Sequence, residues 1–324
     1  MASSQFVSHC TIDALARAAT QLKDGHLIAF PTETVYGLGA DAQNESAVER
    51  IYKVKGRPHD HPLIVHIGDW QLMGEWAREI PDYAIALARA FWPGPMTLIL
   101  KRSELAKDFI TGGQETVGIR VPNQTLALQL LNEFSKIGGK GIAAPSANRF
   151  GHVSPTTADA VREELGAFLD ANDAILDGGP CAVGVESTII DCTSSIPKIL
   201  RPGAITIEDV KGVTGLAVES PNNSEIRVSG SLENHYAPAA QVLLDIPPQP
   251  GDGFIALAEI PSPGGVIRLA TPKNIEAFAH DLYAALREAD LKGLTRVVVH
   301  QPKGDGLAIA IRDRLKRASN ANPK

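Results

Sequence analysis

At 324 residues the chain exceeds one typical domain, and its 44% hydrophobic content fits an ordinary soluble protein with a sizeable core, so two domains are expected. A net charge of −6 argues against a broad nucleic-acid footprint and leaves room for a local basic pocket. Cys10, Cys181 and Cys192 form no Cys-x-x-Cys pair, the chain starts without an apolar signal region, and no apolar run approaches the ~18 residues of a membrane span; a reducing, cytoplasmic location away from membranes is expected.

Thr11 is a good N-cap for a helix over residues 12–23, in which Ile12, Leu15, Ala19 and Leu22 share a face and Gly25 supplies the stop. A short buried strand over 27–30 runs into Pro31-Thr32-Glu33-Thr34-Val35-Tyr36-Gly37-Leu38-Gly39, dense in hydroxyls and glycines where α/β sheets collect ligands. The Gly-Leu-Gly lacks the third glycine of a dinucleotide fingerprint and by itself reads as a turn. A second helix over 45–55 stops at Gly56. Around that stop, Lys53 to Ile67 sets two lysines, an arginine and three histidines against one aspartate, then enters an apolar strand. One lysine near a helix C-terminus is ordinary, worth ~0.3–1 kcal/mol. Arg57, His59 and His61 in a proline-punctuated loop need another account, and a small anionic ligand supplies it. By residue type alone, His66 within the strand reads as a core histidine.

Helices are predicted over 69–78 and 82–91, after which Trp92-Pro93-Gly94-Pro95 turns the chain into a strand over 96–100. A strand over 116–121 sets Thr116, Gly118 and Arg120 on one face, and an arginine inside a strand requires a pair or a ligand. After a helix over 126–134, the small residues of Ile142-Ala143-Ala144-Pro145-Ser146-Ala147-Asn148 would let a ligand approach the backbone. Ser154 with Pro155 reads as the cap and first position of a helix reaching Leu169, ahead of the anion-site reading of the same helix start. Strands over 174–176 and 185–191 follow, Leu200-Arg201 sets another arginine at a strand end, and a short helix over 207–213 closes the first domain. Residues 1–213 are thus one domain, 214–238 a linker carrying His235-Tyr236-Ala237-Pro238, and 239–324 a second domain. In the latter, strands at 242–244, 254–257, 266–269 and 297–299 alternate with helices at 274–291 and 307–318, the pattern of a small parallel α/β sheet.

Several chemistries are discounted. There is no phosphate loop of the Gly-x-x-x-x-Gly-Lys-Ser/Thr type and no Gly-x-Ser-x-Gly elbow. Pro197 breaks the helix that a Ser195-x-x-Lys198 motif requires, and His61 and His66 do not share a helix with an intervening glutamate as zinc hydrolysis needs. What remains is a set of cations (Lys55, Arg57, Arg120, Arg201) and small hydroxyls (Thr34, Thr116, Ser146, Ser154, Ser187) at predicted strand ends and helix termini. That inventory suits nucleotidyl transfer, in which positioning and charge stabilisation dominate, with Arg57 and Arg201 suited to bidentate phosphate contacts.

The segments Pro31 to Gly39, Lys55-Gly-Arg57, Pro62-Leu-Ile-Val-His-Ile67, Trp92-Pro-Gly-Pro95, Ala144-Pro-Ser-Ala-Asn148, Gly184-Val-Glu-Ser-Thr-Ile189, Leu200-Arg-Pro-Gly203 and His235-Tyr-Ala-Pro238 occur in that order. Together they resemble the YrdC-like family, in the longer two-domain form whose members are threonylcarbamoyl-AMP synthases. The resemblance spans essentially the whole chain. It implies a twisted mixed α/β sheet with a concave positive cavity, followed by the linker and a smaller Rossmann-like parallel α/β domain. It implies condensation of L-threonine, bicarbonate and ATP, with Mg²⁺ accompanying the ATP, no organic cofactor and no protein-held metal. The product would pass to the tRNA threonylcarbamoyl transferase machinery, with at most a weak RNA contact. By the same resemblance Thr34, His66, Arg120, Ala144 and Ser187 contact L-threonine. Arg57, His61, Thr116, Ser146, Asn148, Ser154, Arg201 and Tyr236 contact ATP, and Lys55 with Arg57 stabilises the reacting phosphates. Lys55 and Asn148 complete the family's Lys-x-Arg and Ser-x-Asn signature, and the linker is expected to act as a lid. His61 stands where the family commonly has asparagine, and the linker motif begins Ser229-Gly230 in place of the more usual Pro-Gly. Lys53 and His59 read as solvated surface. A non-catalytic RNA-binding module and a carbamoyltransferase of the same fold stand as alternatives.

Overall fold

Local signals place the helices. Asn44 accepts a hydrogen bond from the Ala47 amide at 3.1 Å and Gly56 adopts a left-handed φ of 62°, so a helix forms between them. Thr11 caps the first helix in the same way. The computed structural model describes residues 5–7 (as backbone), 11–220, 226–230 and 236–320; Cys10 and His235, both singled out above, lie outside the described residues.

In chain order the first domain comprises β1 Gln5–Val7, α1 Ile12–Lys23, β2 Ile28–Phe30, β3 Gly37–Asp41, α2 Glu45–Lys55, β4 Ile64–His66, α3 Met73–Trp76, α4 Asp82–Phe91 and β5 Met96–Lys101. It continues with α5 Asp108–Thr111, β6 Thr116–Arg120, α6 Thr125–Lys136, β7 Ile142–Ala143, α7 Ala158–Leu165, β8 Ala174–Leu176, β9 Thr188–Asp191, β10 Lys198–Arg201 and α8 Ile207–Thr214. The second adds β11 Gln241–Leu244, β12 Gly253–Ile255, β13 Ile267–Ala270, α9 Ile275–Leu291, β14 Arg296–Val299 and α10 Leu307–Ser319.

The first domain is built on a mixed sheet of order β1-β8-β2-β3-β7-β4-β6-β5-β9-β10. On one face α1 and α6 bring Leu15, Leu22, Leu130 and Phe134 onto Ile28, Phe30 and Ile142. A larger core forms around Leu38, Val65 and Leu98 with Ile51, Trp76 and Leu87. The second sheet, β11-β14-β12-β13, is parallel throughout, as expected for a Rossmann-like unit. The domains share a core in which Val35, Val153 and Val185 of the first pack with Phe278, Leu282 and Tyr283 of α9. No helix among the described residues is long and apolar enough to cross a membrane, and Cys181 and Cys192 are buried free thiols.

Three local expectations are corrected. Gly37-Leu38-Gly39 is not a turn but the start of β3, antiparallel to β2. A Cβ on Gly39 would stand 2.6 Å from Ile142 and 2.8 Å from the Phe30 ring, so the glycine is there for close sheet packing. The continuous helix predicted over 69–78 is a 3₁₀ turn, Trp70–Leu72, leading into the four-residue α3, because Ala77 is already extended and bridges to Arg102. The helix predicted from Ser154 starts at Ala158 with Thr157 as its cap, and Ser154 turns inward to another partner.

Candidate active site

β4 and β6 run parallel with His66 opposite Arg120, so two adjacent strands deliver these side chains together at their C-terminal ends. β9 and β10 are antiparallel, which brings Ser187, just before β9, beside Arg201 at the end of β10. After β2 the chain is turned by Thr32, whose Oγ1 accepts from the amides of Thr34 and Val35 at 3.2 Å and donates to the Val35 carbonyl at 2.6 Å. That turn faces Thr34 toward the same space. The stretch after β7 is pinned from both sides: the Leu38 amide donates to the Pro145 carbonyl at 2.9 Å and the Ala147 amide to the Tyr36 carbonyl at 2.8 Å.

These loops line one recess. Of the residues singled out in the sequence, Thr34, Arg57, His66, Arg120, Ala144, Ser146, Ser187, Arg201 and Tyr236 lie on its wall. Arg57, Arg120 and Arg201 are all buried. Burial holds Arg57 down to about 10 and also lowers Arg201, yet a guanidinium remains charged at neutral pH. The three wall cations outnumber the wall carboxylate Glu186 together with Glu33 beside Arg120, which leaves the recess suited to anions.

The wall is pre-assembled by hydrogen bonds. Arg201 donates from Nε and Nη2 to the Ser187 carbonyl at 3.1 and 2.9 Å, and from Nη1 to the Ser229 carbonyl at 2.7 Å. Arg57 Nη2 donates to the Pro62 carbonyl at 3.0 Å and to Ser229 Oγ at 3.1 Å. Two arginines from distant parts of the first domain therefore clasp the linker residue Ser229, and Ser229 and Gly230 themselves line the recess. Arg120 differs. Its Nη2 stands 2.8 Å from Glu33 Oε1, too bent for a hydrogen bond, and its Nε and Nη2 have no hydrogen-bond partner among the described residues. The same holds for His66 Nδ1. A buried polar atom without a partner beside a recess calls for an explanation, and a bound ligand supplies one.

Five sequence candidates fall off the wall. Lys55, expected among the catalytic cations, instead donates from Nζ to the Ser146 carbonyl at 2.6 Å and to the Asn148 carbonyl. Burial, then the charge of Arg57, hold its pKa well below the usual lysine range. The lysine thus braces the 144–148 stretch from behind. Asn148 Nδ2 donates to the carbonyls of Arg149 and His152 at 2.7 and 2.9 Å and tightens the following turn. Ser154 Oγ donates to Glu186 Oε1 at 2.7 Å. His61 packs edge-on against Phe150 with ring centroids 5.4 Å apart. Thr116 pairs with Lys101 at the far, N-terminal end of β6. His59 is exposed as expected but not unpartnered: it stacks on Tyr52 and meets Glu49 at 3.2 Å.

Glu186 was missed. Its signal was its place inside the Gly184-Val-Glu-Ser-Thr motif, next to Ser187, but the partners that make it matter lie in the second domain. Burial by itself would raise its pKa, but Arg314, then Arg201, bring it down to about 2.

His66 gives a pH prediction. Burial, then the charge of Arg120, lower it from 6.5 to about 3, so the imidazole is neutral in the folded protein. Below pH 6.5 the unfolded chain takes up a proton that the native site refuses until about pH 3, and stability falls with pH across that window, by about 2 kcal/mol at pH 5. Denaturant unfolding of the wild type and His66→Asn between neutral pH and pH 5 is expected to show a shallower acid loss in the variant. Equal slopes would remove His66 as the cause.

Residues 20–203 match a family model, Sua5_yciO_yrdC, described as telomere recombination, and residues 205–320 match one described as the threonylcarbamoyl-AMP synthase C-terminal domain. The chain is 39% identical over 322 residues to the threonylcarbamoyl-AMP synthase of Pyrococcus abyssi, covering 93% of each chain. It is 38% identical over 327 residues to that of Bacillus subtilis, covering 94% of this chain and 92% of the relative. Among solved structures, P. abyssi Sua5 complexed with L-threonine superposes with a TM-score of 0.87 at 36% identity over 98% of both chains. E. coli YciO, at 23% identity and a TM-score of 0.52 over 61% of this chain and 95% of its own, shares the fold of the first domain.

Proposed function

The chain belongs to the Sua5/YciO/YrdC family in its two-domain, threonylcarbamoyl-AMP synthase form, and we propose that its recess joins L-threonine, bicarbonate and ATP into threonylcarbamoyl-AMP with release of pyrophosphate. The observation that carries this reading is the division of the wall. Arg120 and His66 are an adjacent pair in which Arg120 Nε and His66 Nδ1 have no hydrogen-bond partner among the described residues, and Arg57 and Arg201 are a second pair clasped on Ser229. A carboxylate suits the first pair and a polyphosphate the second. The relative solved with L-threonine supports the assignment of the first.

In this reading the threonine carboxylate meets Arg120, with Thr34, neutral His66, Ala144 and Ser187 around the rest of the amino acid. Its amine adds to bicarbonate with loss of water to give a carbamate. A carbamate oxygen attacks the α-phosphorus of ATP in line, the bond to the β-phosphate oxygen breaks, and pyrophosphate leaves. Arg57 and Arg201 stabilise the charge that builds on the phosphates, and Ser146 and Tyr236 position the nucleotide. Lys55 and Ser154 act by holding Ser146 and Glu186, Asn148 tightens the turn that follows, and His61 and Thr116 have no direct role. Mg²⁺ enters with ATP as part of the substrate, held through the phosphates. A cytoplasmic site of action, where tRNA threonylcarbamoylation would use the adenylate, accords with this reading.

The test is pyrophosphate release from MgATP with L-threonine and bicarbonate omitted in turn. Release that needs both is the expected result. Release that needs neither overturns the reading, and phosphate release from carbamoyl phosphate would favour a carbamoyltransferase instead.

A further inference from the structure

Glu186 has no part in the steps above, yet it lines the recess and is shared between the domains. Its Oε1 accepts from Ser154 Oγ at 2.7 Å; its Oε2 accepts from Tyr283 Oη at 2.9 Å and from Arg314 Nε at 2.8 Å. Tyr283 sits on α9 and Arg314 on α10, so the second domain supplies both partners of one oxygen. Arg314 has a fully buried side chain. Its Nη2 donates to the carbonyl of Pro202, next to Arg201, at 3.0 Å, and its Nη1 to Asp313 at 2.6 Å. The guanidinium also stands 5.4 Å from the ring centroid of Tyr236, which stacks on Tyr283 at 5.7 Å. The second domain thus reaches Ser154 through one carboxylate, Pro202 through Arg314, and Tyr236 through Arg314 and Tyr283.

A bare carboxylate in a wall built for a triphosphate would repel the ligand. Here the negative charge is met from behind by a cation that does not itself line the recess. We propose that Arg314 is a positioning residue for the nucleotide. By neutralising and orienting Glu186 it removes a charge that would repel the phosphates and makes the ATP site depend on the second domain. The proposal rests on the adenylating reading and assigns a part of that site to a residue outside it.

The titratable and charged groups acting on Glu186 are Arg314 from α10, Tyr283 from α9, Arg201 from β10, and Tyr236, and Asp313 of α10 pairs with Arg314 itself. With Arg314 present Glu186 stays ionised throughout the neutral range. Without it, burial is opposed chiefly by Arg201, and the carboxyl should take up a proton at much higher pH.

The experiment measures MgATP binding by calorimetry between about pH 5.5 and 8.5, with pyrophosphate release and thermal midpoints alongside. It compares wild type, Arg314→Met, Glu186→Gln, the double variant and Tyr283→Phe. Arg314→Met is expected to weaken ATP binding by roughly 100-fold or more at the alkaline end, because it strands a buried charge. Relative to wild type, that loss should shrink as pH falls and Glu186 protonates. In the double variant the stranded charge is gone, and affinity should return to within about tenfold of wild type with the added pH dependence abolished. Tyr283→Phe, which removes one hydrogen bond, should weaken ATP binding by roughly 2- to 10-fold with the fold intact. It provides the readout if Arg314→Met does not fold. Additive, pH-independent losses in the Arg314 and Glu186 variants, or wild-type affinity in Tyr283→Phe, overturn the proposal. A wild type that releases no pyrophosphate overturns the adenylating reading instead, before any variant is compared.

Discussion

Arg120→Met is expected to raise the KM for L-threonine by several hundred-fold or more and to leave ATP binding, measured without threonine, within a few-fold of wild type. Arg120 is buried at the end of β6 on the wall of the recess, and its Nε has no hydrogen-bond partner among the described residues. Removing one side of a buried charged contact costs about 3–5 kcal/mol, and each ~1.4 kcal/mol is tenfold. The complication is Glu33, whose Oε1 stands 2.8 Å from Arg120 and would be left without its cation. Arg120→Met with Glu33→Gln separates the two effects. If the arginine binds substrate, the pair should recover thermal stability and still fail to bind threonine. Recovery of threonine affinity in the pair would reduce Arg120 to a counterion for Glu33. Steady-state kinetics with threonine varied, together with thermal midpoints, decide it.

Arg57→Lys should lower kcat/KM for ATP by about 100-fold, the scale of a lost preorganised donor in charge stabilisation, with the KM for threonine little changed. Charge is conserved in this substitution, so the expected loss is one of geometry. Arg57 Nη2 is committed to the Pro62 carbonyl and Ser229 Oγ and Nε to the His61 carbonyl at 3.5 Å, which fixes the plane of the guanidinium and leaves Nη1 for phosphate. A lysine has one nitrogen and no plane, so it cannot hold the linker and meet a phosphate oxygen at once. The effect should therefore appear with ATP varied and persist at saturating threonine. Wild-type turnover in Arg57→Lys would remove the residue from phosphate stabilisation and leave it as a linker clasp.

The parts of this protein legible in its sequence are those set by neighbours along the chain. Thr11, Asn44 and Gly56 fix helix ends through contacts within four residues, and Ile12–Lys23 and Glu45–Lys55 were accordingly readable to the residue. Strand periodicity put Arg120 on a face that demanded a partner, and the ordered motifs identified the family and the wall residues Thr34, Arg57, His66, Arg120, Ser187 and Arg201. Only the tertiary structure decided what each charged group faces. Lys55 is a brace because the 144–148 stretch passes behind the recess and presents two carbonyls to its ammonium. Ser154 is not a helix cap because a carboxylate 32 residues further on takes its hydroxyl. Glu186 gained its partner from Arg314, 128 residues away in another domain. Gly37–Asp41 proved a strand because Phe30 and Ile142 close over Gly39, a packing that no local pattern encodes. Burial turns a pairing between such distant groups into a large energy, and burial is a property of the assembled chain.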